Sequence, residues 1–439
     1  MKRILIKDTP KLKGKKVKVC GWINSWRDHG KIIFIDLRDR TGILQVVFAG
    51  ENYKKAKELR PEWVVEIKGM VKERPEKMQN KGLGTGKIEM EAEKLEIISK
   101  ATKEPLVDLS QEELNLKLTT LLNNRPFTLR HSKVKAIFRV FESIISNYRT
   151  IMKELDFTEI KTPKILGTAT EGGANFFTFD YFGKKAFLAQ SPQFYKQIGV
   201  GAFERVFEVG PVFRKEPHFT TRHMNEYISL DAEMGFISGV GDVMDEIEKT
   251  IKFVLEKTIN KNKEDIKIFK VEFPSIPKEI PRIKLQEIKT IIKEKYGHKI
   301  SDDDDIDPRG EELAGKYVKE KWNSDLVFLT HYPKKKRPFY TMPSKENLEE
   351  TESFDLLFKG IEIATGSQRI HNPEMLKENI KKWKLNPKDF EFYMQTFEYG
   401  MPPHGGWALG AERIVYKLLG LSTVKEASLF PRDVKRLVP

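Results

Sequence analysis

The run Arg205-Val-Phe-Glu-Val-Gly-Pro-Val-Phe-Arg-Lys-Glu216 ends on an arginine and a glutamate two residues apart, and Thr221-Arg-His-Met-Asn-Glu-Tyr-Ile-Ser-Leu-Asp231 follows after a polar loop. On a strand, Arg214 and Glu216 project from the same face, next to a loop holding Arg222 and His223. That arrangement suits a triphosphate. A fixed arginine can hold the phosphorus centre where charge develops, and a loop arginine can hold the distal phosphates. Ser353-Phe-Asp-Leu-Leu-Phe-Lys-Gly-Ile-Glu-Ile363 reads as a hairpin turning at Lys359-Gly360. A two-residue turn puts Leu357 opposite Glu362 and makes Asp355 and Glu362 diagonal neighbours on one face. Two carboxylates so placed can hold Mg²⁺ against phosphate oxygens; the plainer alternative is a pair of surface acids. Gly405-Gly-Trp-Ala-Leu-Gly-Ala-Glu-Arg413 supplies a glycine-rich strand end that lets a nucleotide approach the backbone, with Arg413 able to cover it. Gly82-Leu-Gly-Thr-Gly-Lys87 lacks the spacing of a phosphate loop and precedes strand-like Ile88-Glu-Met-Glu, so a hairpin turn is expected there.

Such groups need a framework, and the distribution of charge indicates two. The chain has 439 residues and a net charge of +14. Residues 1 to 100 hold 24 Lys/Arg against 14 Asp/Glu, or +10, which leaves +4 for the rest. The basic excess points to a polyanion partner for the N-terminal part. There, Val17 to Trp22, Ile32 to Leu37, Ile43 to Phe48, Trp63 to Lys72 and Ile88 to Ile97 read as strands, with a helix near Asn52 to Leu59. Five short strands in a basic segment predict a barrel of the OB type, which commonly binds single-stranded nucleic acid. In its second strand Ile33, Ile35 and Leu37 share one face and Phe34 lies on the more polar one. An aromatic there can stack on a base and Gln45 can read a base edge; the alternative is a second small core under the helix. The expected division is a barrel over residues 1–102, a linker over 103–131 and a larger domain over 132–439. The larger part alternates strands and helices irregularly, which favours an antiparallel sheet flanked by helices in an α+β fold. The acid run Asp302 to Asp305 reads as a solvated turn before a helix. No uncharged apolar run approaches the ~18 residues of a membrane span, and the N-terminus is broken by charge too early for a signal peptide. The single cysteine, Cys20, fits a reducing cytoplasm.

Three segments, in order, carry a family resemblance. Phe157-Thr-Glu-Ile-Lys-Thr-Pro163 resembles motif 1 of the class II aminoacyl-tRNA synthetases, Phe213 to Glu216 through Arg222-His223 to Glu233 resembles motif 2, and Gly405 to Arg413 resembles motif 3. With the N-terminal barrel, the resemblance extends over nearly the whole chain and falls in the IIb subgroup. It implies an ATP-dependent ligase with Mg²⁺ as cofactor, a homodimer with Pro163 at its interface, and tRNA bound by the barrel, with no membrane or DNA partner.

Thr168-Ala-Thr-Glu-Gly-Gly173, Gln190 to Gln197 and Gly366 to His371 look like the aspartyl subgroup. L-aspartate, ATP and tRNA-Asp are then the expected substrates; relaxed recognition that also accepts tRNA-Asn is the main alternative, ahead of an asparaginyl enzyme or an inactive RNA-binding paralogue. Lys196 and Arg369 would present two cations to the substrate side chain, which suits a carboxylate better than a neutral amide. By the resemblance Glu171 and Gln193 hold the substrate ammonium, Thr365 lines the aspartate site, and Arg214 bridges the substrate carboxylate to the α-phosphate. Glu216 and the backbone near Met224 would read adenine, stacked between Tyr227 and Arg413, with Gly410 close to the nucleotide. Arg222 and His223 would take the distal phosphates, and Asp355 and Glu362 the metal. Phe34 and Gln45 fall where the family binds anticodon bases, and Asn24 lies in the strand region where discrimination is set. Tyr227 stands where the family often has Phe, and Ala408 replaces a motif 3 glycine, adding a methyl beside the nucleotide. The chain lacks the large insertion of bacterial aspartyl enzymes and a eukaryotic N-terminal extension, so an archaeal type is expected.

Overall fold

Alternation of apolar and polar residues buries Ile33, Ile35 and Leu37 completely along one strand, and four further strands of the same pattern close around it. In the computed structural model, which describes residues 1–168, 176–217 and 220–439, these strands belong to the first of two units, Met1–Leu116 and Lys117–Pro439. Strands β1 (Lys16–Asp28), β2 (Ile32–Arg38) and β3 (Ile43–Ala49), helix α1 (Glu51–Ala56), and strands β4 (Val64–Glu73) and β5 (Ile88–Ser99) form a closed barrel in the order β1-β2-β3-β5-β4. Val19, Val46, Ile67 and Met90 fill it. The expected OB-type barrel is therefore present. Gly82 to Lys87 lie in the connection between β4 and the antiparallel β5. A Cβ at Gly86 would stand 1.7 Å from the Asn80 carbonyl oxygen, so a tight turn requires glycine there.

The second unit begins earlier than expected. Helices α2 (Leu118–Asn123) and α3 (Arg125–Thr128) occupy part of the stretch read as linker. The side chain of Arg125 is buried, and it donates to the carbonyls of Leu429 at 3.0 Å, Glu426 at 2.9 Å and Ser428 at 2.8 Å. That anchorage joins residues 117–131 to the C-terminal segment, a contact over 300 residues in sequence that local composition cannot signal. Burial pushes the Arg125 guanidinium down to about 10.

The remaining elements are α4 (Ser132–Glu154), β6 (Thr158–Glu159), β7 (Ile165–Leu166), β8 (Thr178–Tyr181), β9 (Lys184–Leu188), α5 (Gln193–Phe203), β10 (Arg205–Phe213), β11 (Glu226–Gly235), α6 (Val240–Lys261), α7 (Lys263–Lys267), β12 (Arg282–Lys284), α8 (Leu285–Tyr296), α9 (Pro308–Trp322), β13 (Leu326–Thr330), β14 (Ser353–Phe358), β15 (Ile361–Gln368), α10 (Pro373–Lys382), α11 (Glu391–Glu398), β16 (His404–Gly410) and α12 (Ala411–Leu418). Eight strands form one sheet in the order β12-β13-β14-β15-β16-β11-β10-β6. Its six central strands pair antiparallel, as expected, and the edge pairs β12–β13 and β10–β6 are parallel. The sheet is thus mixed.

Period-2 alternation along β14 divides the layers. Phe354, Leu356 and Phe358 join Val140, Ile144 and Tyr148 of α4 and Ile247 and Ile251 of α6 in one core. Leu357 joins Ile288 and Ile292 of α8 and Leu313 and Val318 of α9 in another. Asp355, on the same strand face as Leu357, is thereby turned toward α9. The Asp302 to Asp305 run is a turn, and Asp307 caps α9 by accepting from Gly310 N at 2.7 Å.

Candidate active site and nucleic-acid interface

Three adjacent strands, β11, β16 and β15, contribute Tyr227, Ser229, Glu362, Thr365, Ala408 and Gly410 to the cleft. Ser229, Asp231 and Glu233 alternate along β11 and face one side. Lys196, 1% exposed on α5, reaches across to them. Its Nζ donates to Asp231 Oδ1 at 3.0 Å and to the Trp407 carbonyl at 2.9 Å, and lies 3.4 Å from Glu233 Oε2. Arg369 donates Nε to Glu233 Oε1 at 2.9 Å, Nη1 to Ser367 Oγ at 2.5 Å and Nη2 to the Gly406 carbonyl at 3.0 Å. Ser229 Oγ donates to Asp231 Oδ2 at 2.5 Å. The two expected cations are therefore not bare. Asp231 and Glu233 balance them, two acids that the sequence reading did not place beside the cations. Burial pushes Glu233 up, but Arg369 and Lys196 outweigh it and hold the carboxyl low. The signal that could have revealed the two acids was their period-2 spacing with Ser229 on β11.

Gly406 permits this packing. A Cβ there would stand 2.1 Å from the Ala232 carbonyl oxygen and 2.4 Å from Glu233 Oε2. Beyond the ion pairs a chain of buried amides continues. Gln193 Nε2 and Tyr393 Oη both donate to Gln197 Oε1 at 2.9 Å, and Gln197 Nε2 stands 2.8 Å from His404 Nε2. His404 Nδ1 lies 2.9 Å from the Pro402 carbonyl, which can only accept, so Nδ1 carries the proton and Nε2 accepts from Gln197. Burial pushes the His404 imidazole down to about 4.

The neighbouring part of the cleft is lined by Arg214, Glu216, Arg222, His223, Met224, Tyr227, Glu362, Thr365, Ala408, Gly410 and Arg413, which includes all the described residues expected at ATP. Arg214 and Glu216 do not lie on a strand as expected, because β10 ends at Phe213. They form a tight turn in which Glu216 N donates to the Arg214 carbonyl at 2.8 Å, and the side chains pair at 3.2 Å. His223 Nδ1 lies 2.7 Å from Thr220 Oγ1, and burial, then Arg413, pushes its imidazole down to about 4. Arg413 donates Nη1 to the Glu362 carbonyl at 2.7 Å and pairs with its carboxylate at 3.1 Å. Arg222 pairs with Glu311 of α9 at 2.6 Å. The methyl of Ala408 lies among these residues, as its replacement of glycine led one to expect.

The hairpin pairs Leu357 with Glu362, but a bulge between Leu356 and Leu357 then sets Asp355 opposite Thr365. Asp355 Oδ2 pairs with Arg337 at 2.9 Å, Arg337 Nη1 donates to Thr365 Oγ1 at 2.9 Å, and the guanidinium stacks 3.7 Å from the Tyr332 ring. Sequence reading missed Arg337, which falls in a segment without periodicity. Burial pushes Asp355 up, with Glu362 adding to the effect; Glu362 itself is held low by Arg413 and Arg222 against the effect of burial. Among the described residues no group of three or more His, Cys, Asp or Glu could hold a metal. Asp355 Oδ1 is nevertheless buried without a hydrogen-bond partner. Two carboxylates and one such oxygen suit Mg²⁺ that completes its shell with phosphate oxygens and water.

Glu171 lies outside the described residues. Pro163 is exposed, flanked by Thr162 and Lys164, which both bond to Glu208. On the barrel, two cross-strand rows, Arg27–Phe34–Val47 and Ser25–Asp36–Gln45, lie side by side. Phe34 is half-buried with its ring edge-on to His29 at 5.4 Å, and Gln45 Nε2 donates to Glu89 Oε2 at 3.0 Å. Asn24 belongs to neither row. It sits at a bulge in β1, buried, and its Oδ1 accepts from Arg38 at 2.7 Å, which in turn pairs with Glu62 at 2.8 Å.

Family models agree with both units. The tRNA synthetases class II (D, K and N) match residues 117–434, and the OB-fold nucleic acid binding domain matches residues 17–98. The chain belongs to the class II tRNA synthetases. This synthetase is 43% identical to the aspartate–tRNA(Asp/Asn) ligase of Thermus thermophilus over 100% of both chains. It is also 43% identical to the aspartate–tRNA(Asp) ligase of Pyrococcus horikoshii over 98% of each. Archaeal relatives are thus among the similar proteins, as expected, together with bacterial ones. Among solved structures, the asparaginyl-tRNA synthetase from Pyrococcus horikoshii complexed with asparaginyl-adenylate superimposes with a TM-score of 0.91 at 30% identity, over 100% of both chains. No helix of the synthetase, among the described residues, is long and apolar enough to cross a membrane.

Proposed function

We propose that the chain is an aspartate–tRNA ligase that activates L-aspartate with ATP and transfers it to tRNA-Asp. The observation that carries the choice of amino acid is the state of the four carboxylate oxygens of Asp231 and Glu233, beside Lys196 and Arg369. Asp231 and Glu233 already accept from Lys196, Ser229 and Arg369. A substrate carboxylate, which only accepts, matches the donors of Lys196 and Arg369; a substrate NH₂ would have to share Asp231 and Glu233, each of whose oxygens already accepts one hydrogen bond. Full-length similarity to aspartate–tRNA ligases supports the same choice.

In the reaction, Gln193 together with Glu171 orients the substrate ammonium so that its carboxylate faces the α-phosphate. Arg214 and Arg413 stabilise charge as the carboxylate attacks, giving aspartyl-adenylate and pyrophosphate. Glu216, the backbone near Met224, and the ring of Tyr227 hold adenine, while Arg222 and neutral His223 meet the distal phosphates. Mg²⁺, held by Asp355 and Glu362, would neutralise phosphate charge. The terminal ribose hydroxyl of tRNA then attacks the adenylate carbonyl, and no covalent enzyme intermediate is required. Phe34 and Gln45 receive anticodon bases by stacking and hydrogen bonding. A homodimer accounts for exposed Pro163 and for an apolar cleft beside α4 lined by Phe138, Phe141, Ile145, Leu429 and Phe430. We place the enzyme in the cytoplasm, where tRNA is charged.

A second reading is relaxed recognition that also charges tRNA-Asn. Relatives named for both specificities are equally similar, and the side chain of Asn24 is already engaged by Arg38. Aspartate-dependent ATP/pyrophosphate exchange tests the amino-acid assignment, with asparagine expected to support little; equal rates would refute it. Aminoacylation of purified tRNA-Asp and tRNA-Asn separates the two readings, the strict one requiring a far slower rate on tRNA-Asn.

A further inference from the structure

Outside the three motif segments, one buried acid touches two parts of the nucleotide site at once. Glu311 lies in the first turn of α9 and is 5% exposed. Its two carboxylate oxygens accept from Arg222 Nη2 at 2.6 and 2.8 Å. Oε2 also accepts from the backbone N–H of Glu362 at 2.8 Å. The carbonyl of that same residue accepts from Arg413, so Glu362 is gripped from both ends. Arg222 lines the cleft and Glu311 does not; the acid backs the arginine. Arg222 Nε is buried without a partner. The guanidinium is thus held through one nitrogen, with another donor uncommitted.

We propose that Glu311 is a positioning residue for the nucleotide: it fixes the loop guanidinium of Arg222 in a single orientation toward the distal phosphates and keeps the Glu362 backbone registered against Arg413. A long arginine on a loop loses rotamer freedom when it binds phosphate. Holding it beforehand moves that cost out of the binding step. The inference rests on the assignment of Arg222 to the distal phosphates.

Glu311→Gln keeps an acceptor for the Glu362 N–H and removes the charge facing Arg222. In aspartate-dependent ATP/pyrophosphate exchange, the KM for ATP should rise roughly tenfold, the order expected for a lost charge-assisted bond, with a smaller change in kcat. Affinity for AMP, which lacks the distal phosphates, should stay within about twofold of wild type on the same scale. In an Arg222→Ala background the same substitution should have no further effect on the KM for ATP. An unchanged KM for ATP, an equal loss for AMP, or additivity with Arg222→Ala would each overturn the proposal. If Glu311→Gln fails to fold, Glu311→Asp, which withdraws the charge by one methylene, carries the same comparison. Absence of exchange in the wild-type enzyme would instead remove the underlying reading of the site.

Discussion

Lys196 shows how a single side chain can be legible in type and misleading in state. Its charge and place were readable from the sequence, but its neutralisation by Asp231 and Glu233 was not, because those acids arrive on a strand 35 or more residues away in sequence. Removing it leaves buried Asp231 without a cation, with Ser229 as its remaining donor, while Glu233 keeps Arg369. Lys196→Ala should destabilise the fold by about 3–5 kcal/mol and reduce aspartate-dependent exchange below detection, measured by urea unfolding and by exchange on the folded fraction. The buried histidines make a second test. His404 is held near 4, below its ordinary value of 6.5, chiefly by burial. The unfolded chain takes up a proton between those values and the folded chain does not. The resulting stability is complete above about pH 6.5 and is lost as pH falls toward 4, a contribution of roughly 3 kcal/mol. Imidazole NMR should find His404 neutral, protonated on Nδ1, down to about pH 4. ATP should raise the midpoint of His223, which lines the cleft and which we assign to the distal phosphates, and leave that of His404 in place; a common shift in both would contradict the assignment.

At the scale of elements, the sheet positions the chemistry by bringing β15, β16 and β11 side by side. Strand alternation and the Lys359-Gly360 turn were visible in the sequence, and Leu357 does face Glu362. The bulge was not visible, since one extra residue leaves no compositional mark. It moves Asp355 opposite Thr365, where Arg337 reaches both. Arg214 and Glu216 show the converse: the strand was read three residues too long, yet the pair still meets through a turn. Gly406 tests the packing of these strands. Gly406→Ala drives a methyl into the Ala232 carbonyl and the Glu233 carboxylate. The KM for aspartate should rise at least about tenfold, with a stability loss of about 1–3 kcal/mol. Gly410→Ala, whose added carbon meets nothing closer than 3.8 Å, should be far milder in the same assays.

For the whole molecule, the proposed function divides between the barrel, which would bind the anticodon, and the larger unit, which would carry the chemistry. Phe34→Ala should raise the KM for tRNA in aminoacylation by about tenfold, the value of one lost base–aromatic stack, and leave ATP/pyrophosphate exchange unchanged. An equal loss in both assays would remove the anticodon role from this face. Phe141→Glu, in the apolar cleft beside α4, should convert a dimer to monomers in sedimentation; wild-type monomers at assay concentration would exclude the dimer outright. The sequence by itself determined the two-part organisation, the barrel and the antiparallel centre of the sheet, because period-2 alternation, turn residues and local charge are properties of neighbouring positions; most residues that converge on the cleft were legible through the resemblance of three segments to the family's motifs. Only the tertiary structure decided which charges are already paired, where the linker residues 117–131 anchor, and that Glu311 and Arg337 stand behind the site. Those depend on contacts between segments far apart in the chain, and in a low-dielectric interior the partner of a charge decides its chemistry as much as its identity does.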